Sequence, residues 1–412
     1  MQLSESARTA DRYSMEPESE DPGPRGDISV AMLDSGRYSG PYDVGLCRAL
    51  IGEGVGVTLH TRPPRAGEAQ ESLPEHEEAD FYRLSERLRR RGVPAVIAQV
   101  LRLLEHPFDL IGLWRRLRTE RPDIVHYQWL VVPALDGILI RLWRRSPVVV
   151  TVHNTNPLHG VSVLSPRRLG MNWAMKGADA LIVHTRFSIG QLESQGVNTP
   201  ASIVPIGVEI QPACPSRPAA ADEPLNVLMF GRVCQYKGAD VLVRAVGLVP
   251  AEVRTALKVV IAGTPQVDVE SLLALADEVG ASESIEWHLE FIPEEKTREL
   301  FCAADVVALP YRDVDGSAVM AQALGFGVPV VASDLAGFRE VVEDGSSGRL
   351  FRVDDPASLA NVLTEMIRDR SRVELMARRQ RELGAAASWP AVGAKTRRVY
   401  ENLIRRRGES RG

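Results

Sequence analysis

The sequence predicts an α/β protein of two doubly wound domains joined by a short linker. Three observations carry this. The chain has 412 residues, more than one ordinary domain holds. Short runs rich in Val, Ile and Leu recur along it, separated by segments whose apolar residues follow helical spacing, the pattern of parallel strands with crossover helices. The series breaks at residues 209–225, EIQPACPSRPAAADEPL, where four prolines and no periodicity mark a linker.

Residues 1–26 are polar and acidic, with too little apolar surface to offset the entropy of ordering, and read as a disordered tail. They lack the basic start and apolar core of a signal peptide. The first domain spans 27–208. It opens with strand Ile28–Leu33, then a loop through Ser39-Gly40-Pro41, with Pro41 suited to a first helical turn. Val44, Leu46, Cys47, Leu50 and Ile51 give the helix, Gly54 closes it, and Val55–His60 is the next strand. RPPRAGEAQESLPEHEEAD follows as a polar loop.

The stretch Arg83–Arg121 is helical by pattern, with ten Arg against four acids, and Ile97, Leu101, Leu104, Phe108, Ile111 and Trp114 at helical spacing. It admits two readings: a helix pair packed on the domain with a solvated Arg face, or a helix lying on an anionic membrane surface. Strands Asp123–Tyr127, Val148–His153, Ala180–His184 and Ser202–Pro205 complete the domain. The second domain, 226–386, repeats the alternation with strands Asn226–Phe230, Lys258–Ala262, Ser284–His288, Asp305–Leu309, Pro329–Ser333 and Arg349–Phe351. Residues 387–412 form a last helix led by Ser388-Trp389-Pro390.

Composition excludes several classes. A net charge of -5 leaves no cationic excess for a nucleic-acid partner. No run of about 20 apolar residues exists to span a bilayer. Cys47, Cys214, Cys234 and Cys302 form no CxxC pair, so neither a thiolate zinc site nor a disulfide framework is expected, and a reduced, cytoplasmic protein is. The eight histidines show no HxxxH or HExxH spacing, so no metal site is expected. The first strand leads into DSGRYSGP rather than GxGxxG, which argues against a dinucleotide oxidoreductase.

Two segments carry chemistry. In FGRVCQYKGAD, Gly231 and Gly238 flank Arg232 and Lys237 in a loop between strand and helix. There, Arg offers a planar fork and Lys a point charge to a diphosphate; an exposed basic loop is the plain alternative. It is not a P-loop, because Gly238 stands where Ser or Thr would bind magnesium. In residues 309–351, the strand ending at Pro310 meets Asp313, Asp315, Gly316 and Ser317 and then a helix, whose free N–H groups make an anion site.

Together these segments resemble the retaining GT-B glycosyltransferases of family 4 (glycosyltransferase group 1). Ser39-Gly40-Pro41, Val125-His126-Tyr127, Thr151-Val152-His153-Asn154 and Val204-Pro205-Ile206-Gly207-Val208 extend the likeness through the first domain. The resemblance implies two Rossmann-like domains facing across a cleft. It implies that Gly231, Arg232 and Lys237 grip the diphosphate of a nucleotide-sugar, and that Gly40 approaches the donor from the other domain. It implies that Gly316, Ser317, Ala318 and Val319 present amides to phosphate and sugar, that His153 lies beside the transferred sugar, and that the last helix crosses back to the first domain. No cofactor is implied, the nucleotide-sugar being a substrate.

The sequence departs from the family motif of two glutamates. Gln322 holds the second place, which in the family meets the ribose; Val314 holds the first, flanked by Asp313 and Asp315. Either Asp315 substitutes, or the Gly316–Val319 amides do the holding. The likeness to polysaccharide-assembling members suggests a glycan or lipid-linked acceptor and a peripheral place at the inner membrane face. A non-catalytic relative that binds nucleotide-sugar, and a sugar-nucleotide epimerase of the same fold, are the alternatives. His126 and His184 either border the cleft or are packed, while His60, His106 and His288 read as structural.

Overall fold

The computed structural model describes residues 28–65, 73, 75–155, 170–212, 214, 223–314 and 317–409. The tail, much of the linker, and Asp315 and Gly316 lie outside the described residues. The chain divides into two compact units, residues 1–207 with 389–412, and residues 208–388.

The first unit is built on β1 (Ile28–Asp34), β2 (Val55–Thr61), β3 (Glu77–Ala79), β4 (Ile124–Tyr127), β5 (Val148–Val152), β6 (Ala180–Val183) and β7 (Ala201–Ile203). They form one parallel sheet in the order β3-β2-β1-β4-β5-β6-β7. The central strands are apolar on both faces because helices cover both. On one face Met32, Leu59 and Val149 pack with Leu46, Cys47 and Leu50 of α1 (Gly40–Gly52) and with Val392, Val399 and Tyr400 of the last helix. On the other, Leu33, Val125 and Val150 pack with Leu110, Leu113 and Leu117. The order reverses around β1, which places a ligand-binding crevice at the carboxyl ends of β1 and β4.

Two expectations are corrected here. The polar loop after His60 contains a strand, β3, whose Glu77 pairs with Arg37 and whose Glu78 binds Arg116. Its charged sequence hid it, since an edge strand needs little apolar surface. The Arg-rich stretch forms α2 (Arg83–Arg90) and α3 (Ala95–Glu120). Its packed face is Ala98, His106, Leu110, Leu113 and Leu117, whereas Ile97, Leu104, Phe108 and Ile111 are exposed, Phe108 at 73%. Four of the six stripe positions read from the sequence therefore look outward, while Leu101 is half-buried and Trp114 packs against the core. No helix among the described residues is long and apolar enough to cross a membrane.

The second unit holds β8 (Leu225–Phe230), β9 (Leu257–Ala262), β10 (Ile285–His288), β11 (Val306–Leu309), β12 (Val330–Ser333) and β13 (Gly348–Phe351), parallel in the order β10-β9-β8-β11-β12-β13. Around them lie α7 (Ala239–Leu248), α8 (Ala251–Arg254), α9 (Val269–Glu278), α10 (Glu294–Ala303), α11 (Ala318–Phe326), α12 (Ala336–Arg339), α13 (Pro356–Arg368) and α14 (Arg370–Ala386). In the first unit α4 (Pro133–Leu142), α5 (Met171–Met175) and α6 (Arg186–Ser194) complete the helices, with α15 (Trp389–Glu409) closing the chain.

The cysteines give the third correction. Cys214 and Cys302 form a disulfide across 88 residues, tying the linker to α10. Sequence spacing could not show it, because the pair meets only through the fold. The reduced-thiol argument for a cytoplasmic protein falls with it. Cys47 and Cys234 are free.

Candidate functional site

Each unit carries a polar cluster at the carboxyl edge of its sheet. In the first, β1 ends at the buried Asp34, whose carboxylate accepts from the Tyr38 and Ser39 N–H groups at 2.6 and 3.2 Å and so folds the loop that delivers Gly40. Gly40 opens α1 and is itself buried. Ser39 Oγ donates to Asp43 Oδ1 at 3.1 Å and accepts from the Trp129 indole at 2.8 Å. Burial raises the pKa of Asp43, and the neighbouring charge of Asp34 raises it further.

β5 delivers His153 to the same edge. Trp129 stacks on its ring, with centroids 5.0 Å apart and planes at 19°, and Tyr42 meets it edge-on at 4.8 Å. His184, just past β6, has Nε2 3.0 Å from His153 Nδ1 and Nδ1 2.9 Å from the Val204 carbonyl. The Gln128 side-chain amide stands 3.2 Å from His153 Nε2. Burial holds the pKa of His153 well below the usual histidine range, and His184 and His126 lower it further. His126 lies deeper, between Tyr400 and Thr151, and burial lowers its pKa to about 3. It is a packed histidine, whereas His184 belongs to the cluster. His60 pairs with Asp80, His106 with Tyr82 and Asp136, and His288 with Glu286.

In the second unit, β8 leads into Gly231, with φ +89°, where the missing Cβ makes room for the Lys237 ammonium. A 3₁₀ turn, Gln235–Lys237, follows, closed by Gly238 at φ +70°. A Cβ on Gly238 would lie 2.0 Å from the Pro310 carbonyl, so only glycine lets this turn pack on the end of β11. Lys237 is buried and donates to the Phe230 carbonyl at 3.3 Å. Burial brings its pKa down to about 8, against the opposing pull of the Cys234 thiol and with the repulsion of Arg232. Arg232 is exposed.

Arg312 was not singled out by sequence. It donates to Asp240 at 2.8 and 2.9 Å, to Asp354 at 2.9 Å and to the Gln235 carbonyl at 2.8 Å, pinning the turn that carries Lys237. The only sequence signal was an Arg three residues past a strand, too common to notice.

Ser317 caps α11, its Oγ accepting from the Met320 N–H at 3.2 Å. The first turn of this helix thereby keeps free N–H groups at Ala318 and Val319, an anion-binding geometry. Val319 also packs on the Gly231 side: its Cγ2 would lie 3.4 Å from a Cβ there. The structure thus gathers Gly231, Lys237 and Val319. Gln322, one turn further on, is exposed. Val314 is buried, so the first motif position offers no polar group. Asp315 and Gly316 lie outside the described residues.

Family models match most of the chain: Glycosyltransferase Family 4 over residues 44–211 and Glycosyl transferases group 1 over residues 224–369. A D-inositol 3-phosphate glycosyltransferase of Xylanimonas cellulosilytica is 30% identical over 69% of this chain and 73% of its own. One from Corynebacterium diphtheriae is 26% identical over 87% of this chain and 88% of its own. Anabaena Alr3699/HepE, solved with UDP and glucose, superposes with a TM-score of 0.70 at 17% identity, over 91% of this chain and 100% of its own. The lipopolysaccharide outer core galactosyltransferase WaaB gives 0.68 at 14% identity, over 91% and 100%. These structures share the fold, two parallel α/β sheets of the GT-B type.

Proposed function

The chain belongs to the group 1, family 4 glycosyltransferases, and on that premise we propose that it moves a hexose from a nucleotide-sugar to a glycan or lipid-linked glycan with retention of anomeric configuration. The observation that carries the reading is the buried Lys237 ammonium. Among the described residues no carboxylate is paired with it: its hydrogen bond goes to a neutral carbonyl, the Tyr311 ring centroid lies 5.5 Å away, and the acidic group that acts on it is the Cys234 thiol. A buried cation without a carboxylate partner is a place for an anionic ligand. The Ala318 and Val319 amides supply further donors of the same polarity.

The chemistry asked of these groups is electrostatic. An acceptor hydroxyl forms the new bond to the anomeric carbon as the bond to the diphosphate breaks. The bonding pair leaves with the phosphate oxygen, which takes the hydroxyl proton. Arg232, Lys237 and the α11 amides stand ready for the charge that builds there. His153 and Gly40 form the sugar side of the reading, and Gln322 its ribose contact. Asp315 is the proposed substitute for the missing glutamate. The donor nucleotide is drawn as a uridine diphosphate by analogy with the ligand named for Alr3699/HepE.

The test is a thermal-shift panel of nucleoside diphosphates and nucleotide-sugars, then turnover of the best binder. D-inositol 3-phosphate and lipid-linked glycans are the acceptors assayed, and NMR reads the anomeric configuration of the product. Binding without transfer to any acceptor would favour the non-catalytic reading; a product sugar still on its nucleotide would favour the epimerase.

The outward stripe of α3 supports a membrane-bound acceptor. Val96, Ile97, Val100, Leu104, Phe108 and Ile111 are all exposed on this helix, with Arg87, Arg89, Arg90 and Arg91 on and just past α2. Apolar side chains flanked by guanidinium groups suit the inner, anionic face of a bilayer, where each cation adds about 1 kcal/mol. Co-sedimentation with anionic but not neutral vesicles, weakened by salt and lost in Phe108→Asp, is the expected result. Binding to neither kind of vesicle would leave a soluble acceptor.

A further inference from the structure

His153 is held by more than its strand. Its two ring nitrogens both face protein groups: Nδ1 lies 3.0 Å from His184 Nε2, and Nε2 lies 3.2 Å from Gln128 Oε1. One ring face is covered by Trp129 and an edge by Tyr42. The proton positions follow by elimination. The Val204 carbonyl can only accept, so His184 Nδ1, 2.9 Å away, carries a hydrogen. His184 is buried, and burial favours its neutral form, so its Nε2 keeps a lone pair. His153 Nδ1 must then donate to that lone pair. With Nδ1 protonated and the ring neutral, His153 Nε2 is itself an acceptor.

The rest of the chain closes consistently. As placed, Gln128 Oε1 faces His153 Nε2 and the Gln128 amide nitrogen lies 3.4 Å from His126 Nε2. The two ends of an amide have the same shape, and this tautomer of His153 requires them exchanged, the NH₂ group toward His153 Nε2 and the oxygen toward His126 Nε2. His126 Nε2 then donates, chiefly to Thr151 Oγ1 at 2.7 Å. Its Nδ1 accepts from the Tyr400 hydroxyl at 2.6 Å. The amide orientation as placed sets an acceptor against His153 Nε2 and, with Nδ1 also donating, would require a buried imidazolium, which the exchange of the two amide ends avoids.

We infer that His184 is a positioning residue that fixes His153 as the neutral Nδ1–H tautomer, so that His153 serves the transfer as an oriented, uncharged wall and not as a proton carrier. The inference rests on the reading of His153 as the residue beside the sugar. It fits a reaction in which the departing phosphate takes the acceptor's proton, since His153 Nδ1 already carries a hydrogen and Nε2 is turned to the Gln128 amide.

Long-range ¹H–¹⁵N correlation on the ¹⁵N-labelled full chain tests it, with signals assigned by single His→Gln variants. His153 and His184 should each show a protonated Nδ1 and a bare Nε2. A protonated Nε2 on His153 would overturn the proposal, whether or not the protein transfers sugar. Kinetics give the second arm. His184→Leu keeps bulk but removes the acceptor and should lower kcat on the order of tenfold, with nucleoside diphosphate affinity held. His184→Gln, which offers an amide oxygen at the depth of Nε2, should recover most of that loss. Equal losses in both variants, or a loss confined to KM, would reduce His184 to a packing role. If the wild type transfers nothing, the functional reading fails while the tautomer measurement still decides this one.

Discussion

A Cβ added to Gly231 would lie 2.7 Å from the Lys237 ammonium nitrogen, so the glycine and the lysine share one space. Lys237 has a flexible end and can move aside, so Gly231→Ala acts on ligand binding more than on folding. The strain of an alanine at φ +89° costs about 1–2 kcal/mol. The expected outcome is a folded protein with a modest fall in Tm and a clear loss of nucleoside diphosphate affinity, read by calorimetry. An unchanged affinity would remove Lys237 from the phosphate site.

The lowered pKa of Lys237 gives a pH signature. Its free-state value is about 8, well under that of an exposed lysine. Below that pH the ammonium is already charged. Above it, a bound diphosphate must recruit a proton to restore the charge, so affinity falls by up to about tenfold per pH unit. Lys237→Arg, which keeps its charge throughout, should bind with little pH dependence over roughly pH 8 to 10. A wild-type profile as flat as that of the arginine variant would show that Lys237 does not meet the ligand.

Arg232→Ala should weaken nucleoside diphosphate binding by about 1.5–3 kcal/mol, as for a lost charged hydrogen bond, without lowering Tm. The residue is exposed, so its removal leaves no buried group stranded. Titration by calorimetry at two salt concentrations distinguishes a contact from general attraction, since salt weakens the longer-range attraction more.

The disulfide predicts a stability change local to the second unit. Cys302→Ser releases a closed loop of 88 residues' separation and should destabilise that unit by about 2–4 kcal/mol. Thiol titration of the unfolded, unreduced wild type should find two reactive cysteines, Cys47 and Cys234. Four would mean that the linker is not tied to α10.

Tyr400→Phe tests the attachment of the last helix. It strands the buried Nδ1 of His126, at a cost of about 1–3 kcal/mol. Chemical denaturation of the first unit should show it, with donor binding unaltered.

The strands were legible because each is a continuous apolar run bounded by polar turns, as in Val148–Val152 or Val330–Ser333. β3 was not, because Glu77 and Glu78 are held by Arg37 and Arg116 rather than by apolar packing. The period of α3 was visible, but a periodic stripe does not say which way it faces, and Ile97 and Phe108 turned outward. Of the site, Lys237 and Ser317 could be placed from local motifs. Tertiary partners could not: His184 meets His153 across 31 residues of sequence, and Arg312 meets Asp240 across 72. Cys214 and Cys302 were hidden for the same reason.

The membership of α15 in the first unit also sets an order of birth. On the ribosome the sheet from β1 to β7 is finished before residues 208–388 are made, yet Val392 and Tyr400 arrive only after them. At about 5–20 residues per second, that interval lasts roughly 10–40 s. Throughout it, Leu46, Cys47 and Leu50 lack part of their cover, and His126 lacks its phenol. The later-made half can therefore settle into its native form while the earlier-made half is still waiting. A nascent chain stalled before Trp389 should consequently be the species that proteases cut in its first two hundred residues and that chaperones hold.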